Sequence, residues 1–172
     1  MAESSIDLGD GYRIRRATGE DMDRVGQIAR QAWRPIHDSF EKIMGKEMHD
    51  AVCADWEADK EAQVLGQYEQ YPEWFWVVEE AATGGVVAFL TIRIDRKRSL
   101  GTIANNAVTP EVQGRGIGTK MHTYALDLFR QEGLQFANVG TGMDDGHAPA
   151  RRAYEKAGFD IARMDVTYYK YL

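Results

Sequence analysis

The sequence predicts a mixed α/β (α+β) fold, a mainly antiparallel sheet flanked by helices. Three observations predict it. Short apolar or alternating runs recur at residues 12–16, 74–78, 86–94, 101–109 and 135–141. Stretches of helical period stand between them, with Val25, Ile28, Ala29 and Ala32 in one and Ile117, Met121, Tyr124 and Leu128 in another. Glycine and proline punctuate the junctions, at Gly84-Gly85, Pro110, Gly133 and Gly158. The expected order is β-α-α-β-β-β-α-β-α-β-β.

Each element has a local reason. Residues 1–10 are acidic and polar and are expected to be a flexible N-terminus, with residues 11–172 as a single domain. Tyr12–Arg16 alternates as a short strand does. Thr18 is a candidate cap for the first helix, with Glu20 and Asp21 in the first turn, where negative charge is favoured. Pro35 is expected to end that helix. Met48, Val52 and Trp56, four apart, predict a second helix over residues 46–64. The Thr83-Gly84-Gly85 turn joins two apolar strands as a hairpin. Residues 95–99 form a charged turn before the next strand. A helix follows from Ile117 to about residue 132, and Gly133 ends it. The strand–helix–strand unit over residues 101–141 is the expected parallel part. Pro149 suits the first turn of a helix that Gly158 stops. Residues 159–164 and 166–172 read as a closing strand pair.

Bulk properties narrow the function. At 172 residues, 44% apolar and 28% charged, the chain has an ordinary soluble composition with room for one core. A net charge of −6 disfavours general nucleic-acid binding. No apolar run approaches a membrane span. The N-terminus lacks the basic start and apolar middle of a signal peptide, so a cytoplasmic location is expected. Cys53 is the only cysteine, which excludes an intramolecular disulfide and leaves no expectation of a cysteine-built metal site.

The most specific stretch is residues 106–118, Asn-Ala-Val-Thr-Pro-Glu-Val-Gln-Gly-Arg-Gly-Ile-Gly. A strand ends at Val108 and Thr109, a glycine turn follows, and a helix starts at once. Glycines let a ligand approach the backbone, and the free N–H groups of the first helical turn favour phosphate. Two nucleotide motifs fail on spacing. Gly114, Gly116 and Gly118 give G-x-G-x-G, with Thr119 where a Rossmann turn needs glycine. Gly118-Thr-Lys120 does not supply a P-loop.

The stretch instead resembles the acyl-CoA signature of the GNAT superfamily of N-acetyltransferases, Q/R-x-x-G-x-G/A after a strand ending near V-x-P. Gln113, Gly116 and Gly118 occupy its fixed places. A second block, Ala-Arg-Arg-Ala-Tyr-Glu-Lys-Ala-Gly-Phe at residues 150–159, is similar to the family's A-x-x-L-Y-E-K-x-G-F segment, with Ala153 in the leucine place. The element order matches over nearly the whole chain.

The resemblance implies acetyl-CoA as co-substrate and no metal. It places the pyrophosphate on the backbone of Gln113, Gly114, Arg115, Gly116, Ile117, Gly118 and Thr119. It places the pantetheine arm along Asn106, Ala107 and Val108, where a main-chain N–H would polarise the thioester carbonyl. Arg115, Lys120, Arg151, Arg152 and Lys156 are candidates for the outer phosphate. The family places Tyr154 beside the thioester sulfur, as donor to the leaving thiolate. His147 stands where the family commonly has asparagine, and cofactor contact, base and helix-start cap all remain open for it. The glutamate that some relatives use as base is replaced by Gly142, which leaves Asp144 and Asp145 as nearby acids. The strand over residues 101–109 carries no acid. Trp33 and His37 are candidates for binding the acceptor amine by aromatic face and charge.

The expected activity is acetyl transfer from the CoA thioester to a primary amine by direct attack. The acceptor is a small molecule or a peptide, with no nucleic acid or membrane partner, and a homodimer is a candidate assembly among similar proteins. The alternative is a non-catalytic acyl-CoA-binding regulatory module.

Overall fold

In the computed structural model, which describes residues 5–172, six strands form one sheet in the order β1-β2-β3-β4-β5-β6. They are β1 Ile6–Gly9, β2 Tyr12–Arg16, β3 Phe75–Glu80, β4 Val86–Asp95, β5 Leu100–Val108 and β6 Phe136–Val139. The helices are α1 Met22–Met44, α2 Lys46–Val52, α3 Trp56–Gln70, α4 Ile117–Gln131 and α5 Ala148–Ala157. Neighbouring strands run antiparallel except β5 and β6, which are parallel across the α4 crossover, as the strand–helix–strand reading expects.

The apolar run of β3 has no polar alternation because both faces of the sheet are covered. Phe75 and Val77 pack with Val25, Ile28 and Ala29 of α1 and Val64 of α3. Trp76 and Val78 pack on the opposite face with Met121, Ala125 and Phe129 of α4. Gly101 belongs to the same face for a steric reason. A Cβ there would overlap the Phe129 ring, so only glycine lets α4 lie this close to β5.

One irregularity positions the site. Leu90 pairs with Asn106 but Ile92 pairs with Ile103, so β5 carries one more residue than β4 across this step. That is a β-bulge, which bends and twists the strand carrying it. Thr91 stitches it: its Oγ1 accepts from the Asn105 N–H at 2.8 Å and donates to the Asn105 carbonyl at 3.0 Å. The pairing of β5 with β6 ends at the same place, at Ile103 and Val139.

Four features differ from the sequence reading. The flexible N-terminus expected over residues 1–10 includes β1, whose Ile6 and Asp7 pair with β2; residues 1–4 lie outside the described residues. Pro35 does not end α1, which continues to Met44. Proline in a helix interior removes one N–H bond and costs about 3 kcal/mol. Tertiary packing offsets it here, since Ile36 and Ser39 are buried beyond the proline. The single helix expected over residues 46–64 is two, α2 and α3, broken around Cys53 to Asp55. Val52, assigned to the apolar stripe, is exposed, and His49 is buried instead. With no apolar face running through the break, Glu57 and Asp59 favour a fresh helix start. Finally, residues 159–172 form no strand, so the expected closing pair is absent. Val166 and Tyr168 alternate as a strand would, yet both are exposed, as is Ile161 in the other expected strand. Alternation makes a strand only where a sheet edge accepts its backbone bonds, and this segment leaves α5 without meeting one.

Candidate active site

The glycine turn and the end of β5 form one side of a cleft of about 770 Å³. Beyond Ile103 the β5 backbone has no β6 partner, so residues 104–108 present an open edge into the cleft. Gly114 and Gly116 both hold φ of +80°, and a Cβ on either would meet no heavy atom within 4 Å. The turn is therefore a smooth backbone surface facing empty space. Gly116 caps α4 with no side-chain hydrogen bond, so the first-turn N–H groups have no helical acceptor. This arrangement fits an acyl-CoA pyrophosphate. Gln113 lines the cleft with its side-chain amide bound back to the strand. Its Nε2 donates to the Val108 carbonyl at 2.9 Å and ties the turn to the strand.

At the floor of the cleft stands Tyr154, buried on α5. Asn106 Nδ2 donates to its hydroxyl at 3.1 Å. Asn106 Oδ1 faces His122 Nε2 at 3.0 Å. Since the amide oxygen can only accept, His122 carries its hydrogen on Nε2. The His122 ring lies 4.6 Å from the Tyr154 ring, tilted by 43°. Burial pushes His122 down to about 4 and pushes the Tyr154 phenol above its ordinary value, opposed by the Asn106 bond. Both groups are thus neutral near pH 7, and Tyr154 holds a proton to give.

The sequence reading missed His122, which sits beside Met121 in an apolar helical face. Its one local signal is i, i+4 spacing from Gly118, which puts it on the side of α4 facing the cleft. His122 also makes a testable contribution to stability. A histidine with a depressed folded value stabilises fully above the unfolded value of about 6.5. That stability is lost as pH falls toward the folded value of about 4. Between pH 7 and pH 5 the expected loss from this group is about 2 kcal/mol. Urea unfolding of the wild type and His122→Gln at both pH values measures it. Equal pH dependence in the two proteins would refute it.

The loop before α5 brings together two expected site residues. His147 Nδ1 lies 2.5 Å from Asp144 Oδ2, and the Asp144 side chain is 5% exposed. His147 also occupies the N-cap position of α5. With Asp144 on Nδ1, the other ring nitrogen is free for the cleft that His147 lines. A Cβ on Gly142 would stand 2.5 Å from both Asp144 Oδ2 and His147 Nδ1. The space of a side chain at 142 is therefore filled by the Asp144–His147 pair. Gly146 is as constrained: a Cβ there would meet the Pro35 carbonyl and Ile36 Cα of α1 at 2.6 Å, and its N–H donates to Ser39 Oγ at 2.9 Å.

Because Pro35 does not end α1, the residues after it continue the helix, and this second half of α1, with α3 beside it, walls the cleft opposite the glycine turn. Trp33 lines this cleft, whereas His37 lines a neighbouring one between α1 and the α2–α3 break, and each has one ring face engaged. Lys60 Nζ lies 3.8 Å from the Trp33 ring centre, and the Trp56 ring stacks on His37 at 4.1 Å. Burial, then His49, lowers the His37 imidazole. Lys60 had no signal in the sequence, since its place depends on contacts from β5. Its ammonium donates to Asn105 Oδ1 at 2.6 Å and Gln63 Oε1 at 2.7 Å, and burial pushes it down to about 8.

The cations expected near the outer phosphate divide. Arg151 is turned inward, donating to the Gly142 and Asp144 carbonyls at 2.6 and 2.8 Å, and so clamps the His147 loop. Lys120 is paired with Asp10 and Arg115 donates to Tyr12, whereas Arg152 and Lys156 line the cleft.

Comparison with known proteins agrees with this geometry. The family model for the acetyltransferase (GNAT) family matches residues 36–159. A mycothiol acetyltransferase of Saccharomonospora viridis is 28% identical over 171 residues, covering 94% of this chain and 50% of the relative. A mycothiol acetyltransferase of Beutenbergia cavernae is 29% identical over 97 residues, covering 56% of this chain and 32% of the relative. The chain thus spans half or less of the curated relatives it matches. Among solved structures, the PaiA N-acetyltransferase of Thermoplasma acidophilum in complex with coenzyme A has a similar fold. Its TM-score is 0.69 at 17% identity, covering 90% of this chain and 92% of that one. No helix among the described residues is long and apolar enough to cross a membrane. The bare glycine turn, the tyrosine at the strand splay and the family match over residues 36–159 have one meaning: this chain belongs to the acetyltransferase (GNAT) family.

Proposed function

We propose that this domain transfers an acetyl group from acetyl-CoA to a primary amine by direct attack, with Tyr154 as the proton donor to sulfur. The observation that carries the reading is the placement of the Tyr154 hydroxyl, fixed by Asn106, in the cleft beside the splayed strand and the bare glycine turn. Bound acetyl-CoA supplies the electrophilic carbonyl and the thiolate leaving group. The backbone of residues 113–119 holds the pyrophosphate, and the open edge of residues 106–108 orients the arm. His147, held by Asp144, takes a proton from the amine, directly or through one water. The C–N bond forms as the C–S bond breaks. Tyr154 Oη gives its proton to sulfur; an ordinary phenol near ~10 does so to a thiolate near ~8.5 modestly uphill, and burial of this phenol steepens the step.

The acceptor enters between α1 and the His147 loop. Lys60 bears on its charge. Below pH of about 8 the ammonium is present at this end of the cleft. It repels polycations and suits an amine whose neighbouring groups are hydroxyl or anionic. Trp33 then shapes the pocket rather than binding a cation, since Lys60 already occupies a ring face, and His37 stands outside this cleft.

Release of free CoA thiol from acetyl-CoA across an amine panel tests the proposal. The panel includes polyamines, amino acids, amino sugars, peptide N-termini and the acceptor of mycothiol acetyltransferases. Turnover is expected with acceptors carrying hydroxyl or carboxylate groups, and little with spermidine-like polycations. Calorimetric CoA binding with no turnover on any amine would instead favour a non-catalytic acyl-CoA-binding module. Preference for polycations would overturn the assignment of Lys60.

A further inference from the structure

A cluster of metal-binding side chains lies in a second cleft of about 430 Å³, between α1 and the α2–α3 break. His37 on α1 and His49 on α2 face each other, Nδ1 to Nε2, at 3.2 Å. Cys53 caps the C-terminal end of α2 four residues after His49, so the two point from the same side of that helix. One nitrogen of each imidazole and Cys53 Sγ all lie within 4.8 Å of one another.

The spacing is that of a coordination shell nearly closed. Tetrahedral zinc, with bonds of about 2.0–2.1 Å to nitrogen and about 2.3 Å to sulfur, holds two nitrogens about 3.3 Å apart and nitrogen and sulfur about 3.6 Å apart. The imidazole pair already has the first separation. A side-chain shift of about 1 Å brings the half-buried Cys53 from within 4.8 Å to the second.

The surroundings of His49 on the far side of its ring fit the outer support of such a site. His49 is buried, and its Nδ1 has no hydrogen-bond partner. Asp50 Oδ1 lies 3.7 Å from that Nδ1. Glu41, His49 and Asp50 also place ligand atoms within 4.8 Å of one another. An ion on Nε2 fixes the hydrogen on Nδ1, facing these carboxylates. A carboxylate behind a ligating imidazole is the usual outer support of a metal site. The stacked Trp56 ring holds the orientation of His37.

Two imidazoles and a thiol do not suit calcium or magnesium, which prefer oxygen. They suit a borderline-soft ion such as zinc. We propose that His37, His49 and Cys53 bind one zinc-class divalent ion, which ties α1 to α2 at the acceptor end of the domain. On binding, the Cys53 S–H bond breaks, its proton passes to solvent and a sulfur–metal bond forms. Three protein ligands leave a fourth position open toward the cleft that His147 also lines, for water or another exchangeable ligand. One thiol suffices because two separate helices bring the imidazoles.

Cobalt titration of the chelator-treated protein tests the site without reference to catalysis. The wild type is expected to bind one Co2+ per chain, with intense tetrahedral visible bands and a near-ultraviolet thiolate-to-cobalt band, both bleached by one equivalent of Zn2+. Cys53→Ser is expected to lose the thiolate band and to bind at least tenfold more weakly. His49→Ala is expected to lose the tetrahedral bands. His49 is buried, so Cys53→Ser at the helix end keeps the test valid if the alanine variant fails to fold. A wild-type spectrum that is weak and octahedral, or one that Cys53→Ser leaves unchanged, overturns the proposal.

Discussion

Tyr154→Phe is expected to lower kcat by about 10² to 10³ while leaving CoA affinity within about threefold, the range for loss of one positioned proton donor. The ring stays, so packing against His122 and Phe159 is kept. What goes is the hydroxyl, and with it the partner of Asn106 Nδ2 at 3.1 Å. Burial already raises the phenol above its ordinary value, so the wild type stays protonated through the working pH range. The basic limb of its pH–rate profile therefore comes from another group. Stopped-flow thiol release and calorimetric CoA binding separate the two effects. An equal loss in binding and turnover would make Tyr154 a positioning residue, and an unchanged kcat would remove it from the chemistry.

His147→Gln is expected to lower kcat/KM by about 10², with Asp144→Asn in the same direction and smaller. Glutamine keeps a polar side chain but cannot take a proton. Asparagine at 144 no longer places a carboxylate on His147 Nδ1. The informative companion is Gly142→Glu, which restores the acid that some relatives carry. On chemistry alone it should help. On geometry it should hurt, because its Cβ would stand 2.5 Å from both members of the pair. The expected result is a loss comparable to that of His147→Gln. Gly142→Glu with higher activity than wild type would show that the pair is not the base. Steady-state rates of all four proteins are the measurement.

The donor half of this site was legible in the sequence because its chemistry is backbone chemistry. Two glycines after a strand and before a helix, Gly114 and Gly116, specify positive φ, free N–H groups and close approach with little help from elsewhere. Tyr154 was legible only through its resemblance to the family, since Ala150, Ala153 and Ala157 around it also read as a packing face. His122 and Lys60 were not legible. Each owes its role to burial against residues far along the chain, Asn106 for one and Trp33 with Asn105 for the other. Pro35 misled because a local rule was applied where tertiary contacts of Ile36 and Ser39 decide. The tail misled because alternation records a preference for a sheet edge without saying that an edge is there.

The contact between Gly146 and the Pro35–Ile36 backbone has a practical consequence for redesign. Room at this seam extends only to a hydrogen atom, and Ser39 pins the other side of the turn. The α1 wall of the cleft and the His147 loop therefore behave as one rigid jaw. Substitutions along α1 meant to admit a bulkier amine will displace His147 along with the wall. On the proposed activity, selectivity and turnover should drift together, so variants with broad acceptor range and full speed should be rare unless residues 142–147 are redesigned alongside the helix.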